Sequence, residues 1–492
     1  MPSELRLIAR HTFVYGAGIV AAKLVSVVML PVYTHYLTPG DFGILELLET
    51  TVDVIGMLAG MGLAASAFKH YPEIKTPEER KRFVSSLLIG SAGVALLVAL
   101  AGVALSGPLT RLIFGTHADP LYFRVFFLTF FFQSFSNIGL AVVRVEERSG
   151  LYVVLTVAKL ILTVSLNIWF VVGLHAGVIG VLSGNAISSA ALALALAAYA
   201  SRRFGMHYSH STFRKLSRFG APLGISSIGS FVLTYSDRYF LNHYQGSAPV
   251  GVYSLGYSFA FLLSSFAVVP FGQIWEPRRF VIAQRPDAQL IYRRMFYYLN
   301  LALFTGSIGL VLFTKDGLSV LVGPGFVNAY RVVPLLLITT IIQQWTAYCN
   351  FGLFLKNATH VLAWAGVLAA GTALMLNWVL IPRYGMMGAA WATVFAYIVR
   401  FVPTYVLAQR QYYVRYPWGK VCILAAIFGV VLGLRYAANG LPFLVSVSVS
   451  AGALVAVGAV IFGALLDAAE RRYLVTLVRS RMMLIAGERV TR

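Results

Sequence analysis

Four basic side chains, Lys23, Lys159, Arg238 and Arg400, stand inside long apolar stretches, and so do four acids, Glu46, Glu49, Asp53 and Asp237. A charge at the middle of a bilayer costs at least ~2.5–3.5 kcal/mol, so each should face a partner or a water-filled cavity. Lysine and arginine in a low-dielectric pocket suit an anionic group, phosphate oxygens above all. Glu46, Glu49 and Asp53, spaced by three and four, share one helical face. A stripe of carboxylates does not face lipid, so this face looks into the protein, and two readings of it stay open. Either it is a proton or sodium site, with Asp53 the deepest and best ion candidate, or it neutralises Lys23 and Lys159.

The other charges also carry two readings each. Lys23 faces a cavity or pairs with a carboxylate of the next span. Asp237 and Arg238 are neighbours and point about 100° apart on a helix. One can then face a cavity, in ion coupling or in substrate contact, while the other locks onto a neighbouring helix. Lys159 and Arg400 reach inward towards a substrate or snorkel to the headgroups.

The elements that must hold these charges are membrane helices. The chain has 492 residues, of which 59% are hydrophobic and only 12% charged. A soluble domain would carry about twice that charge. Apolar runs recur at the length of about 20 residues needed to cross a bilayer, and about fourteen such spans are expected. Most of the 39 Lys and Arg fall in alternate connections, which places the N- and C-termini in the cytoplasm. The net charge of +21 is therefore topological, and nucleic acid is not expected as a partner. Cys349 and Cys422 fall in apolar segments without ligand or disulfide spacing, so neither a metal nor a cofactor is expected. The N-terminal apolar run contains Lys23 and continues past any small-residue cleavage site, as a retained helix does. The tail after Leu466 has the pattern of a basic amphipathic helix lying on membrane lipids.

The chain also repeats itself. Tyr36–Leu47 aligns with Tyr244–Leu255, and Gly177–Gly180 with Gly385–Gly388, at one constant offset. Two matches at one offset indicate a duplicated unit. The expected architecture is an all-α polytopic membrane protein with two pseudo-repeated six-helix lobes, 1–218 and 219–412. A helix pair and basic tail, 413–492, follow. Paired halves are a transporter signature, with the substrate handled where they meet. The aromatic run Tyr122–Phe132 either lines a lipid-facing portal or packs against neighbours. Pro31, Pro222, Pro270, Pro334 and Pro403 are expected to kink spans.

Residues 30–73, 236–257 and 376–399 together resemble the bacterial polysaccharide biosynthesis family of oligosaccharide flippases. That family belongs to the multidrug/oligosaccharidyl-lipid/polysaccharide exporter (MOP) superfamily. The matching stretches fall at equivalent places in both halves, so the resemblance covers about residues 10–410. It implies two lobes around a central cavity, alternating access, and undecaprenyl-diphosphate-linked oligosaccharide as cargo. It also implies coupling to an H+ or Na+ gradient, residence in a bacterial inner membrane and work beside polysaccharide polymerases or ligases. Lys23, Asp237 and Arg238 match charged positions of related sequences. Peptidoglycan-precursor flippases carry several arginines in the first span, where this chain has the single Lys23.

The expected function is thus a flippase that holds an anionic headgroup with Lys and Arg, without being an enzyme. Two other classes compete. A multidrug or small-molecule antiporter of the same superfamily calls for an acidic, aromatic pocket. A membrane glycan polymerase or ligase calls for paired carboxylates or histidines on a long outer loop, whereas His35, His117, His175 and His243 stand singly.

Overall fold

In the computed structural model the described residues are 29–60, 62–115, 118–465, 468 and 471–472. Lys23 and nearly all of the basic tail lie outside them. Among the described residues there is no strand. The helices run in order as α1 (29–36), α2 (Pro39–Ala59), α3 (Leu63–His70), α4 (Pro77–Ala104), α5 (Ser106–Phe114) and α6 (Pro120–Val145). They continue as α7 (Ser149–Ile168), α8 (Gly177–Phe204), α9 (His210–Gln245), α10 (Ser247–Leu263), α11 (Val269–Ile282) and α12 (Ala288–Leu321). The last five are α13 (Val333–Cys349), α14 (Phe351–Leu355), α15 (His360–Gln411), α16 (Trp418–Ala437) and α17 (Phe443–Val460).

Nine of the described helices are long and apolar enough to cross a membrane, or ten if a bent pair near Pro334 counts as one span. The expected fourteen are not reproduced by this measure, for physical reasons. Helix α2 carries Glu46, Glu49 and Asp53 within its apolar stretch. Helix α15, at 52 residues, merges two helices across a break at Gly385.

Helix starts follow one local device. Thr38, Thr76 and Asp119 cap α2, α4 and α6 with a side-chain oxygen, and a proline follows each where no N–H is needed. At Thr38 the cap is reciprocal: its hydroxyl accepts from the Asp41 N–H, and the Asp41 carboxylate accepts from the Thr38 N–H. Pro270 lies inside the span Ser247–Glu276, just past the π-helical turn Ser264–Val268, and Pro334 stands beside a 48° bend before α13. Pro403 does lie inside α15. The aromatic run of α6 packs inward, with Phe123, Phe126, Phe127 and Phe130 buried and the Phe127 ring against Gly102 of α4.

The chain divides into two compact units. One contains the residues up to Phe261 together with Leu321–Tyr412, and the other Leu262–Val320 with the residues from Tyr413. Inside the first unit, residues aligned at the constant offset meet. Gly43 of α2 and Gly251 of α10, equivalent residues of the two copies, lie against each other. A Cβ on Gly43 would run into the Ser247 carbonyl, and one on Gly251 into the Pro39 carbonyl. Gly323 closes in the same way on the Thr34 carbonyl, and Gly385 on the side chain of Gln245. At Gly43, Gly251 and Gly323 backbone thus meets backbone. The second matched pair also shares a role: Gly177 and Gly385 take positive φ of 56° and 54°, where a side chain is strained.

Within the second unit, Asp316 of α12 is buried against Arg435 of α16 at 3.1 Å and accepts from the Ser446 hydroxyl of α17 at 2.9 Å. This pin ties the last two helices to α12.

Candidate functional site

Beside the glycine seam, α9 carries Asp237 and Arg238 into a closed polar cluster. Arg238 is 3% exposed and Asp237 2%. The Arg238 Nε donates to Glu46 Oε1 of α2 at 2.9 Å. Its Nη1 donates to the Thr234 carbonyl at 3.1 Å and to Asp237 Oδ1 at 3.2 Å. Aromatic faces complete the enclosure, with the guanidinium 4.4 Å from the Tyr257 ring centre and 5.0 Å from that of Tyr235. On its far side Asp237 accepts from the Tyr253 hydroxyl of α10 at 2.7 Å and the Thr393 hydroxyl of α15 at 3.4 Å. One residue along, Ser236 accepts from the amide of Asn377, also on α15. Asp237 therefore pairs both with its neighbour Arg238 and with two other helices. A buried guanidinium between two carboxylates is compensated, and removing one partner strands the others.

The acidic face of α2 has two destinations. Glu46 turns to Arg238, while Asp53, two turns on, is exposed to a cavity of about 340 Å³ between α2, α4 and α6. Gln133, Ser134 and Asn137 of α6 also line this cavity, and Gly56 and Phe130 shape its wall. Glu49 is exposed between the two acids. The shared face was legible from spacing, but its division between a buried ion pair and an open cavity was not. Helical spacing says which residues point together, never which helix answers them.

Lys159 and Arg400 are half-buried, and among the described residues neither forms an ion pair. Lys23 lies outside the described residues. Sequence reasoning missed Tyr253, Tyr257 and Thr393, whose polar atoms or ring faces hold the charged pair. It also missed Gln133 and Asn137, although two carboxamides four apart in an aromatic span are a readable signal. The Asp316–Arg435 pair was missed because its members stand 119 residues apart in the chain. Among the described residues no group of three or more His, Cys, Asp or Glu is placed to hold a metal ion.

Comparison with known proteins agrees with this architecture. The sequence profile of the polysaccharide biosynthesis protein family matches residues 8–282. No curated protein matches the chain by sequence. Among solved structures, the lipid II flippase MurJ in an inward closed conformation is similar with a TM-score of 0.71 at 11% identity, covering 93% of this chain and 100% of that one. An inward-facing multidrug resistance MATE transporter of the MOP superfamily is similar with a TM-score of 0.61 at 15% identity, covering 85% of this chain and 96% of the other. A MOP superfamily transporter from Pyrococcus furiosus gives 0.55 at 14% identity, with 85% and 96% covered. At these identities the likeness is one of fold.

Proposed function

The chain belongs to the polysaccharide biosynthesis protein family, and from that premise we propose that it is an alternating-access flippase for polyprenyl-diphosphate-linked oligosaccharide. It moves an O-antigen, capsule or exopolysaccharide repeat unit from the cytoplasmic to the periplasmic leaflet of a bacterial inner membrane. Its two lobes are residues 1–218 and 219–412, its termini are cytoplasmic, and polymerases or ligases act on what it delivers. The observation that carries the reading is the seam, where repeat-equivalent Gly43 and Gly251 meet beside the ion pair between Glu46 and Arg238. Two halves joined by close backbone contact and one compensated charge pair form a closure that can be made and broken as a unit. With cytoplasmic termini the seam faces the periplasm, and this conformation is then the one closed outward.

Lys159, Arg400 and Lys23 hold the diphosphate in this state, and Arg238 joins them when the seam parts from Glu46. Asp237, Glu46, Glu49 and Asp53 are the groups through which an H+ or Na+ gradient acts. The test is in-cell accumulation of lipid-linked glycan with Lys23→Ala, Lys159→Ala, Arg238→Ala and their combination at matched membrane levels. Build-up of undecaprenyl-linked oligosaccharide on the cytoplasmic side, with loss of surface polysaccharide, is expected. Wild-type export by every variant overturns the role of the cations.

A second reading draws on the cavity, where Asp53 is the one ionisable residue among the described lining residues. An acidic pocket suits a cation-coupled antiporter of organic cations. Gradient-driven efflux of tetraphenylphosphonium that is lost in Asp53→Asn, with normal surface glycan, would favour it.

A further inference from the structure

The cavity between α2, α4 and α6 is lined by uncharged polar side chains and one carboxylate among the described residues. Asp53, Gln133 and Asn137 line it with exposed side chains, and among the described residues none of the three has a hydrogen-bond or ion-pair partner. Each belongs to a stretch that reads as membrane-spanning, where an unsatisfied carboxylate or carboxamide facing hydrocarbon is costly. Their polar atoms are therefore met by water or by a ligand. Among the described lining residues none is basic, and none of them offers a diphosphate a cation.

What it offers is a mixed set. Gln133 and Asn137 each present two N–H donors and a carbonyl acceptor, Asp53 two acceptor oxygens, and Ser134 a hydroxyl. They converge from two helices, Gln133 and Asn137 on successive turns of α6 and Asp53 opposite them on α2. Among the described residues the remaining wall is mostly apolar, with Phe130, Met57 and Ile138, and its one further hydroxyl, that of Ser91, is spent on the Leu88 carbonyl. Gly56 keeps α2 low there: a Cβ on it would touch the Phe130 ring at 3.4 Å. Alternating donors and acceptors above an apolar floor match the hydroxyl-bearing edge and the C–H face of a pyranose. The volume of about 340 Å³ is roughly ten times the ~30 Å³ share of one liquid water. That holds one monosaccharide with part of its hydration.

We infer that this cavity is a sugar subsite, which takes a pyranose of the cargo's glycan while the diphosphate is held elsewhere. The inference rests on the flippase reading and deepens it. It assigns the first repeat the sugar and leaves the phosphates to the cations outside the pocket. A site built to satisfy hydroxyls discriminates strongly against sugars that lack them, so the cavity is also a place where glycan selectivity arises.

Full-length protein in lipid nanodiscs is tested by saturation-transfer NMR with methyl glycosides of glucose, galactose and N-acetylglucosamine, and separately with tetraphenylphosphonium. At least one glycoside is expected to show transfer. Gln133→Leu and Asn137→Leu should each weaken it roughly tenfold, the ~1.4 kcal/mol of one lost carboxamide contact. Both substitutions make a span more apolar and leave insertion intact, and Val455→Ala, exposed on α17, serves as a control that keeps glycoside transfer. Three results overturn the proposal: no transfer from any glycoside, transfer that the leucine variants leave unchanged, or transfer from tetraphenylphosphonium alone that Asp53→Asn abolishes. The flippase reading is judged apart from these, by in-cell export. Normal glycan export with no glycoside binding removes the subsite and keeps the flippase, whereas export that never depends on the chain removes both.

Discussion

The opening of the first copy and that of the second share a scaffold and differ in chemistry. Helices α2 and α10 both begin beyond a tight turn, bring Gly43 and Gly251 to the seam, and bury Leu47 and Leu255 completely. Past that point the copies part. Where α2 has Glu46, Glu49 and Asp53, the aligned positions of α10 hold Ser254, Tyr257 and Phe261. The relation reverses one helix earlier, where Arg238 of α9 aligns with Leu30. The first copy brings carboxylates and the second brings the guanidinium with aromatic faces to receive it. Symmetry therefore survives where backbones touch, and it is lost where charge is needed. A twofold-related pair of glutamates, or of arginines, would repel across the seam, whereas one of each attracts.

This contrast can be broken most forcefully at Arg238. Arg238→Met strands Asp237 and Glu46, and a stability loss of ~3–5 kcal/mol is expected in thermal unfolding of the purified protein. Glu46→Met with Arg238→Met should lose less than Arg238→Met alone, and a plain sum of the two single effects would show that the pair is uncoupled. The glycine side comes next. Gly43→Val and Gly251→Val should each cost ~1–3 kcal/mol in the closed state by overpacking the seam. They should also raise labelling of a Ser247→Cys reporter by a membrane-impermeant maleimide, and equal labelling with and without valine would mean that the seam does not open.

Gly177→Ala and Gly385→Ala probe the second matched pair. Each should cost ~1–2 kcal/mol for the positive φ, with Gly385 the more sensitive because its Cβ meets Gln245. The smallest effect is expected at Thr51→Val, which removes a hydroxyl contact to Tyr239 of α9 at 2.9 Å. About 0.5–1.5 kcal/mol should be lost, read from the same unfolding curves.

How far the sequence foretold this depended on the kind of constraint. Gly43/Gly251 and Gly177/Gly385 were legible as a repeat because close approach and positive φ are demands that one residue type meets. The acidic face of α2 was legible from a period of three and four. Its pairing with Arg238 was not, because that contact spans 192 residues and no local pattern encodes it. Asp53 facing a cavity lined by Gln133 and Asn137 was equally hidden, since it depends on how α2 and α6 pack. Asp316 and Arg435 were hidden for the same reason, since only a contact across 119 residues buries them.

The length of chain between Glu46 and Arg238 also bears on how the protein is made. Translation at ~5–20 residues per second leaves Glu46 waiting ~10–40 s for a guanidinium 192 residues downstream. Until α9 is delivered, the Glu46 carboxylate lacks the guanidinium it meets in the finished fold. The closing contact of the seam therefore completes only after nearly half of the chain has been made.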